Sequence, residues 1–273
     1  MRSPNSISSY QDLKNMQHMY PLNFKSIAYC AAFLVMISCS TDKKQLVKTQ
    51  SQLIPITENY PIDSTIENYI LPYRTSVKKE MTKVISYTPV DLNAYDKKLE
   101  SKLGNLLADL SYEQANPVFF KRTQKNIDFV LFNHGGIRAP IGKGPITNNH
   151  AFQLMPFENL LVVVEITGEK VLEMVAYLNK SNRAHPLSKQ VQLHLKDGEI
   201  ATFTINNKPF DPTKNYFVLT SDYLQKGGDR MNFFAAPVNL YELDYKFRAA
   251  IIDYLVKTDT VNVVLDQRFK RLN

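Results

Sequence analysis

Two dense apolar runs stand out along the chain, residues 127–132 (IDFVLF) and 160–166 (LLVVVEI). Runs this short, bounded by turn residues, predict buried strands. Leu99, Leu103, Leu106, Leu107 and Leu110 recur at helical spacing, which predicts a helix over residues 96–114 with its leucine face inward. Gly104 and Asn105 interrupt that pattern. After the second run, Thr167 is placed to cap a helix whose positive end favours Glu169. Val171, Leu172, Val175 and Leu178 form its inward face, and it ends near Lys180. Segments 191–195, 200–205 and 215–221 read as strands, the last two joined through the turn formers Asn206, Asn207, Lys208 and Pro209. Phe247, Ala250, Ile251, Tyr254 and Leu255 mark a final helix, and residues 261–265 a final strand. Strands and helices mixed without a regular strand–helix–strand beat predict an α+β fold of mixed α/β layers, with one domain over residues 54–273.

The N-terminal stretch follows a different pattern. Residues 27–37 (IAYCAAFLVMI) are uncharged, too short to span a bilayer, and preceded by Lys25, as in the apolar region of a signal peptide. The other reading is a buried apolar segment. Met36, Ile37, Ser38 and Cys39 resemble a bacterial lipobox, so the expectation is an exported lipoprotein with residues 1–38 removed and Cys39 lipidated. That leader is long, and a start at Met19 gives one of ordinary size. Residues 39–53 are polar and suit a tether to the membrane surface.

The chain has 273 residues, 22% of them charged, and a net charge of +7. Removing residues 1–38 leaves +5. An anionic ligand fits this balance. The cations are dispersed and no nucleic-acid-binding motif is present, so a nucleic acid polymer is not an expected partner. Both cysteines, Cys30 and Cys39, lie in the apolar N-terminal stretch, so no disulfide framework is implied.

Three segments at strand ends carry candidate chemistry. Asn133, His134, Gly135, Gly136, Ile137 and Arg138 follow the first apolar run. Their glycines permit a sharp turn with backbone N–H groups near a ligand, and Arg138 offers a planar fork for phosphate or carboxylate. A turn beside a solvated arginine is the plainer reading. Phe157, in Pro156-Phe157-Glu158-Asn159, and Tyr223, six residues before Asp229, are aromatics able to clamp a flat base or simply to pack in the core. Asp229 is either a ribose acceptor or a turn carboxylate.

The segments NHGGIRAPIGKGPIT, PFEN, ITG and TSDYLQKGGD, in that order and spacing, resemble the C-terminal, substrate-binding domain of 5′-nucleotidases. Upstream, Glu100 to Leu106 is similar to the E-x-x-L-G-N-L helix of that family, which accounts for Gly104. The resemblance covers residues 83–265. It implies that Phe157 and Tyr223 sandwich a base, that Asp229 binds ribose hydroxyls, and that Asn133 and Arg138 face ribose and phosphate, with Gly135, Gly136 and Gly228 as further substrate-binding positions. Lys97 stands where the family often has an arginine, replacing a fork with a point charge. His134 replaces a glycine; it could narrow the turn or add a contact, and the plainer reading is a neutral surface histidine.

Hydrolysis in that family belongs to a separate metallophosphatase domain with two metal ions. The five histidines here, His18, His134, His150, His185 and His194, form no paired-ligand motif. The expectation is therefore no cofactor and no catalytic residue on this chain, with divalent metals on a separately encoded metallophosphatase partner. The sequence thus reads as the nucleotide- or nucleoside-binding half of a phosphoester hydrolase. The alternatives are a free-standing nucleoside- or nucleotide-binding surface lipoprotein, or one keeping only the fold.

Overall fold

The computed structural model describes residues 60–272 without a break, together with residues 25, 28, 29, 46 and 48–57. Cys39 and nearly all of the expected leader lie outside the described residues. No helix among the described residues is long and apolar enough to cross a membrane. The compact unit spans Ile62–Asn273.

Helix α1 (Ser64–Met81) starts where Asp63 accepts the backbone N–H groups of Thr65 and Ile66. It buries none of its residues. Strand β1 (Val84–Thr88) follows, then α2 (Lys102–Thr123). The leucine spacing correctly marks α2, but the helix starts later than residue 96 and runs beyond 114. Asp96 accepts the Lys102 N–H at 2.7 Å and Ser101 that of Gly104 at 3.1 Å, which holds residues 96–101 as a capped turn. At the far end the helix passes through Pro117 and stops at Gln124, whose φ of 59° is left-handed.

Next come β2 (Phe129–Val130), β3 (Gly144–Thr147), α3 (Asn148–Leu154), β4 (Leu160–Thr167) and α4 (Gly168–Ser181). Thr167 caps α4 as its sequence suggests, accepting from the Lys170 N–H. A Cβ on Gly168 would lie 2.4 Å from the Pro212 carbonyl oxygen, so the glycine of the ITG motif allows a close backbone approach. Strands β5 (Val191–Lys196), β6 (Glu199–Ile205), β7 (Lys208–Pro209) and β8 (Asn215–Ser221) lead to the short helix α5 (Asp222–Gln225). The chain ends with β9 (Asn239–Lys246), α6 (Phe247–Lys257) and β10 (Phe269–Arg271).

The central sheet has the order β2-β8-β4-β9, with β2 parallel to β8 and the other pairs antiparallel. Every residue from Leu161 to Ile166 is buried, so both faces of β4 are covered, which explains the run of apolar residues without alternation. A second sheet, β10-β5-β6-β7, lies outside it in the hydrogen-bonding pattern. The turn after β6 therefore forms a hairpin with β7, Asn206 and Asn207 both taking positive φ, and does not pair β6 with β8.

Residues 261–265 form no ladder. Side chains take their place: Asn105 donates to the Val264 carbonyl at 2.9 Å, and Glu100 accepts the N–H groups of Asp266 and Gln267. With those backbone groups satisfied by α2 and its cap, a strand is unnecessary there, and pairing resumes at β10 against β5. Glu100 and Asn105 are both buried and bonded to each other at 2.9 Å. The spacing of these two residues thus serves to hold the C-terminal segment.

Candidate functional site

Strand directions bring the three candidate segments to one end of the central sheet. Because β2 and β8 are parallel, the chains leaving them emerge on the same side. Strand β4 runs the opposite way, and its first residues pair with the last of β8, Leu161 opposite Ser221. The Phe157 segment therefore enters β4 where the other two leave their strands.

Asn133 opens a 3-10 turn, His134–Gly136, directly after β2. Its side chain donates to Asp229 Oδ2 at 2.6 Å. The Tyr223 hydroxyl donates to the other oxygen, Oδ1, at 3.0 Å, and Tyr177 donates to the Asp229 carbonyl at 3.0 Å. Asp229 and Arg230 both take left-handed φ values, 51° and 62°, after Gly227 at 86°. Such backbone costs about 1 to 3 kcal/mol per residue and persists only where its surroundings enforce it. Gly228 lies against the Tyr223 ring, where a Cβ would come within 2.5 Å. The bond to Asp229 holds the Tyr223 phenol above its usual range.

Phe157 and Tyr223 are 38% and 46% exposed, so neither belongs to the core. The Arg138 guanidinium sits 5.9 Å from the Phe157 ring centroid. Two residues outside the motifs support these rings. Asp222 accepts from the backbone N–H of Leu160 at 3.0 Å and of Tyr223 at 2.9 Å, tying the two aromatic segments together. Arg248, on α6, donates to the carbonyls of Met155 and Phe157, each at 3.1 Å, and pairs with Glu158. Hydrogen bonds from Lys246 and Arg248 hold the Glu158 carboxyl below its usual range. Arg248 lies far from Phe157 in the chain, with no local signal linking the two.

Lys97 is not part of the Asn133–Asp229–Tyr223 cluster. It is exposed and lines a groove with Tyr95, His134 and Arg183. His134 is buried, not a surface residue: its Nδ1 lies 3.0 Å from the Ala184 carbonyl, and its ring meets Tyr95 edge-on. The side chain fills space beside the turn that a glycine would leave open.

Beneath the turn lies His185, whose Nδ1 accepts the His134 backbone N–H at 3.1 Å while Nε2 faces Ser181 Oγ at 2.9 Å. Burial, and then the neighbouring His134, push its pKa down to about 4. The folded value lies below the unfolded one, near 6.5, so the stabilisation is present above pH 6.5 and lost as the pH falls towards 4. The full loss is about 3 kcal/mol. Urea midpoints measured from pH 7 to 4 should fall less steeply for His185→Gln than for the wild type. Equal slopes would exclude this role.

Among known proteins, a family model described as 5′-nucleotidase, C-terminal domain, matches residues 82–236. The chain belongs to that family. As a 5′-nucleotidase C-terminal domain, it is 24% identical over 255 residues to the trifunctional nucleotide phosphoesterase protein YfkN of Bacillus subtilis (strain 168), covering 83% of this chain and 16% of the relative. It is 32% identical over 105 residues to protein UshA of Escherichia coli (strain K12), covering 37% of this chain and 19% of that protein. The chain thus spans less than a fifth of the length of these two relatives. The solved 5′-nucleotidase precursor from Thermus thermophilus superimposes with a TM-score of 0.64 at 25% identity, over 78% of this chain and 44% of that one. The mixed α/β layers of the 5′-nucleotidase C-terminal domain are thus shared.

Proposed function

We propose that this chain is the nucleotide- or nucleoside-binding half of a phosphoester-hydrolysing system in nucleotide catabolism, working with a separate dinuclear-metal metallophosphatase. The observation carrying this reading is the fixed carboxylate of Asp229, held by Asn133 and Tyr223 beside two exposed aromatic rings at one sheet end. In this reading Phe157 and Tyr223 hold the base, Asp229 and Gly228 the ribose, and Asn133, Gly135, Gly136 and Arg138 the ribose–phosphate side. Lys97, set apart from them, contributes charge at longer range. Support for a protein partner comes from α1, where Ile66, Tyr69, Tyr73 and Val77 recur at helical spacing and are all exposed. The metals belong to the partner in this scheme.

Calorimetry of the mature chain with AMP and adenosine tests recognition, and Phe157→Ala should weaken binding by about 1 to 3 kcal/mol, the scale of one base–aromatic stack. Unchanged affinity would leave a protein that keeps the fold without the site. Adding exported metallophosphatases from the same cell should raise AMP hydrolysis. Binding without any such gain would favour a free-standing nucleotide-binding protein. Lipidation at Cys39 and residence at a membrane surface are part of the proposal. Intact mass of the membrane-fraction protein should show an acylated N-terminal cysteine, and an unmodified mass would refute it.

A further inference from the structure

The Asn133–Asp229–Tyr223 cluster has a second side. Gly135 and Asp229 also line an open groove of about 710 Å³ with Tyr177, Lys180, Arg183 and Arg230. The three cations are exposed, and none takes part in an ion pair among the described residues. Asp229 is the single acidic residue lining the groove, and both its oxygens already accept hydrogen bonds from Asn133 and Tyr223. A neighbouring groove of about 440 Å³ shares His134 and Arg183 and adds Lys97 and Lys98, again without an acidic side chain. Five cations therefore face two adjoining grooves that contain one engaged carboxylate. The left-handed pair Asp229–Arg230 puts consecutive residues to both uses, the carboxylate in the cluster and the guanidinium in the groove.

We propose that this basic groove is a second anion subsite, which takes a phosphate carried on the ribose, so that the preferred ligands are nucleoside 3′,5′-bisphosphates rather than 5′-monophosphates. The inference rests on the reading of Asp229 as the ribose acceptor. A ribose seated on that carboxylate has its hydroxyl edge towards Gly135 and Asp229, the residues shared with the groove. One free hydroxyl remains to donate to Asp229. A 3′-phosphate enters the space lined by Lys180, Arg183 and Arg230, whose three charges outweigh the repulsion from one carboxylate.

The test is calorimetry of the full mature chain with AMP and with adenosine 3′,5′-bisphosphate. The bisphosphate should bind about tenfold tighter or more at low salt, with the advantage shrinking as salt rises. The double variant Lys180→Ala, Arg183→Ala should remove that advantage while leaving AMP affinity unchanged. AMP binding with no preference for the bisphosphate, or a preference that survives the double variant, overturns the subsite and leaves the nucleotide-binding reading standing. Failure of both ligands to bind overturns that reading and the subsite with it.

Discussion

An Asp229→Ala variant is expected to lose about 100-fold in affinity for AMP and adenosine. Two ribose hydroxyls donating to one ionised acceptor account for that scale, at about 1.5 to 3 kcal/mol for each charge-assisted bond before partial compensation by water. The carboxylate has little freedom to adjust, because Asn133 and Tyr223 hold one oxygen each. The decisive comparison uses 2′,3′-dideoxyadenosine, which lacks the donors. Wild type and variant should bind it equally weakly, whereas a variant defect of the same size with the dideoxy ligand would show that Asp229 only shapes the loop. Asp229→Asn, which keeps the shape and loses the charge, should fall between the two.

The second large effect concerns stability. Arg268 is 4% exposed and donates to Asp109 on α2, to Asp266 and to the Leu187 carbonyl. Burial alone raises the Asp266 carboxyl, but the hydrogen bond and charge of Arg268 outweigh it and keep the group below its usual range. Arg268→Met would leave two carboxylates facing each other without a cation and a buried carbonyl without its donor. Removing one partner of a buried pair costs about 3 to 5 kcal/mol, and the lower end applies because Asp109 and Asp266 keep some contact with water. Urea unfolding at pH 7 should show a loss of about 3 kcal/mol. A loss under about 1 kcal/mol would mean that solvent already screens the network.

Elements whose burial follows from their own sequence are readable in advance. Strand β4 announces itself by an apolar run, α4 by Thr167 and a stripe of Val171, Val175 and Leu178 in which Leu172 is exposed and Met174 buried instead, and α6 by Phe247, Ala250 and Ile251. Strand β9 carries a period-2 signal that the expected elements omit: Tyr241, Leu243 and Tyr245 turn inward between the exposed Glu242, Asp244 and Lys246, although only Leu243 is fully buried. The expected strand at 261–265 fails for a tertiary reason, since the Val261 N–H donates to the Tyr87 carbonyl and the Val264 carbonyl accepts from Asn105, both from the other end of the domain. In the candidate site the motifs locate the loops, while their supports are invisible. Arg248 reaches the Phe157 segment from a helix about ninety positions on, and the burial of His134 depends on Ala184 and Tyr95. Lys97, placed by its spacing to the α2 motif alone, faces another groove.

The shared acceptor Asp222 has a consequence for selectivity. By binding the N–H groups of Leu160 and Tyr223, it fixes the separation of the two aromatic segments through backbone and not through side-chain adjustment. On the proposed function, the slot between the rings behaves as a gauge of constant width, losing little ordering entropy on binding. Such a gauge accepts any flat ring of the right thickness, so purines and pyrimidines should differ in affinity mainly through the area they stack.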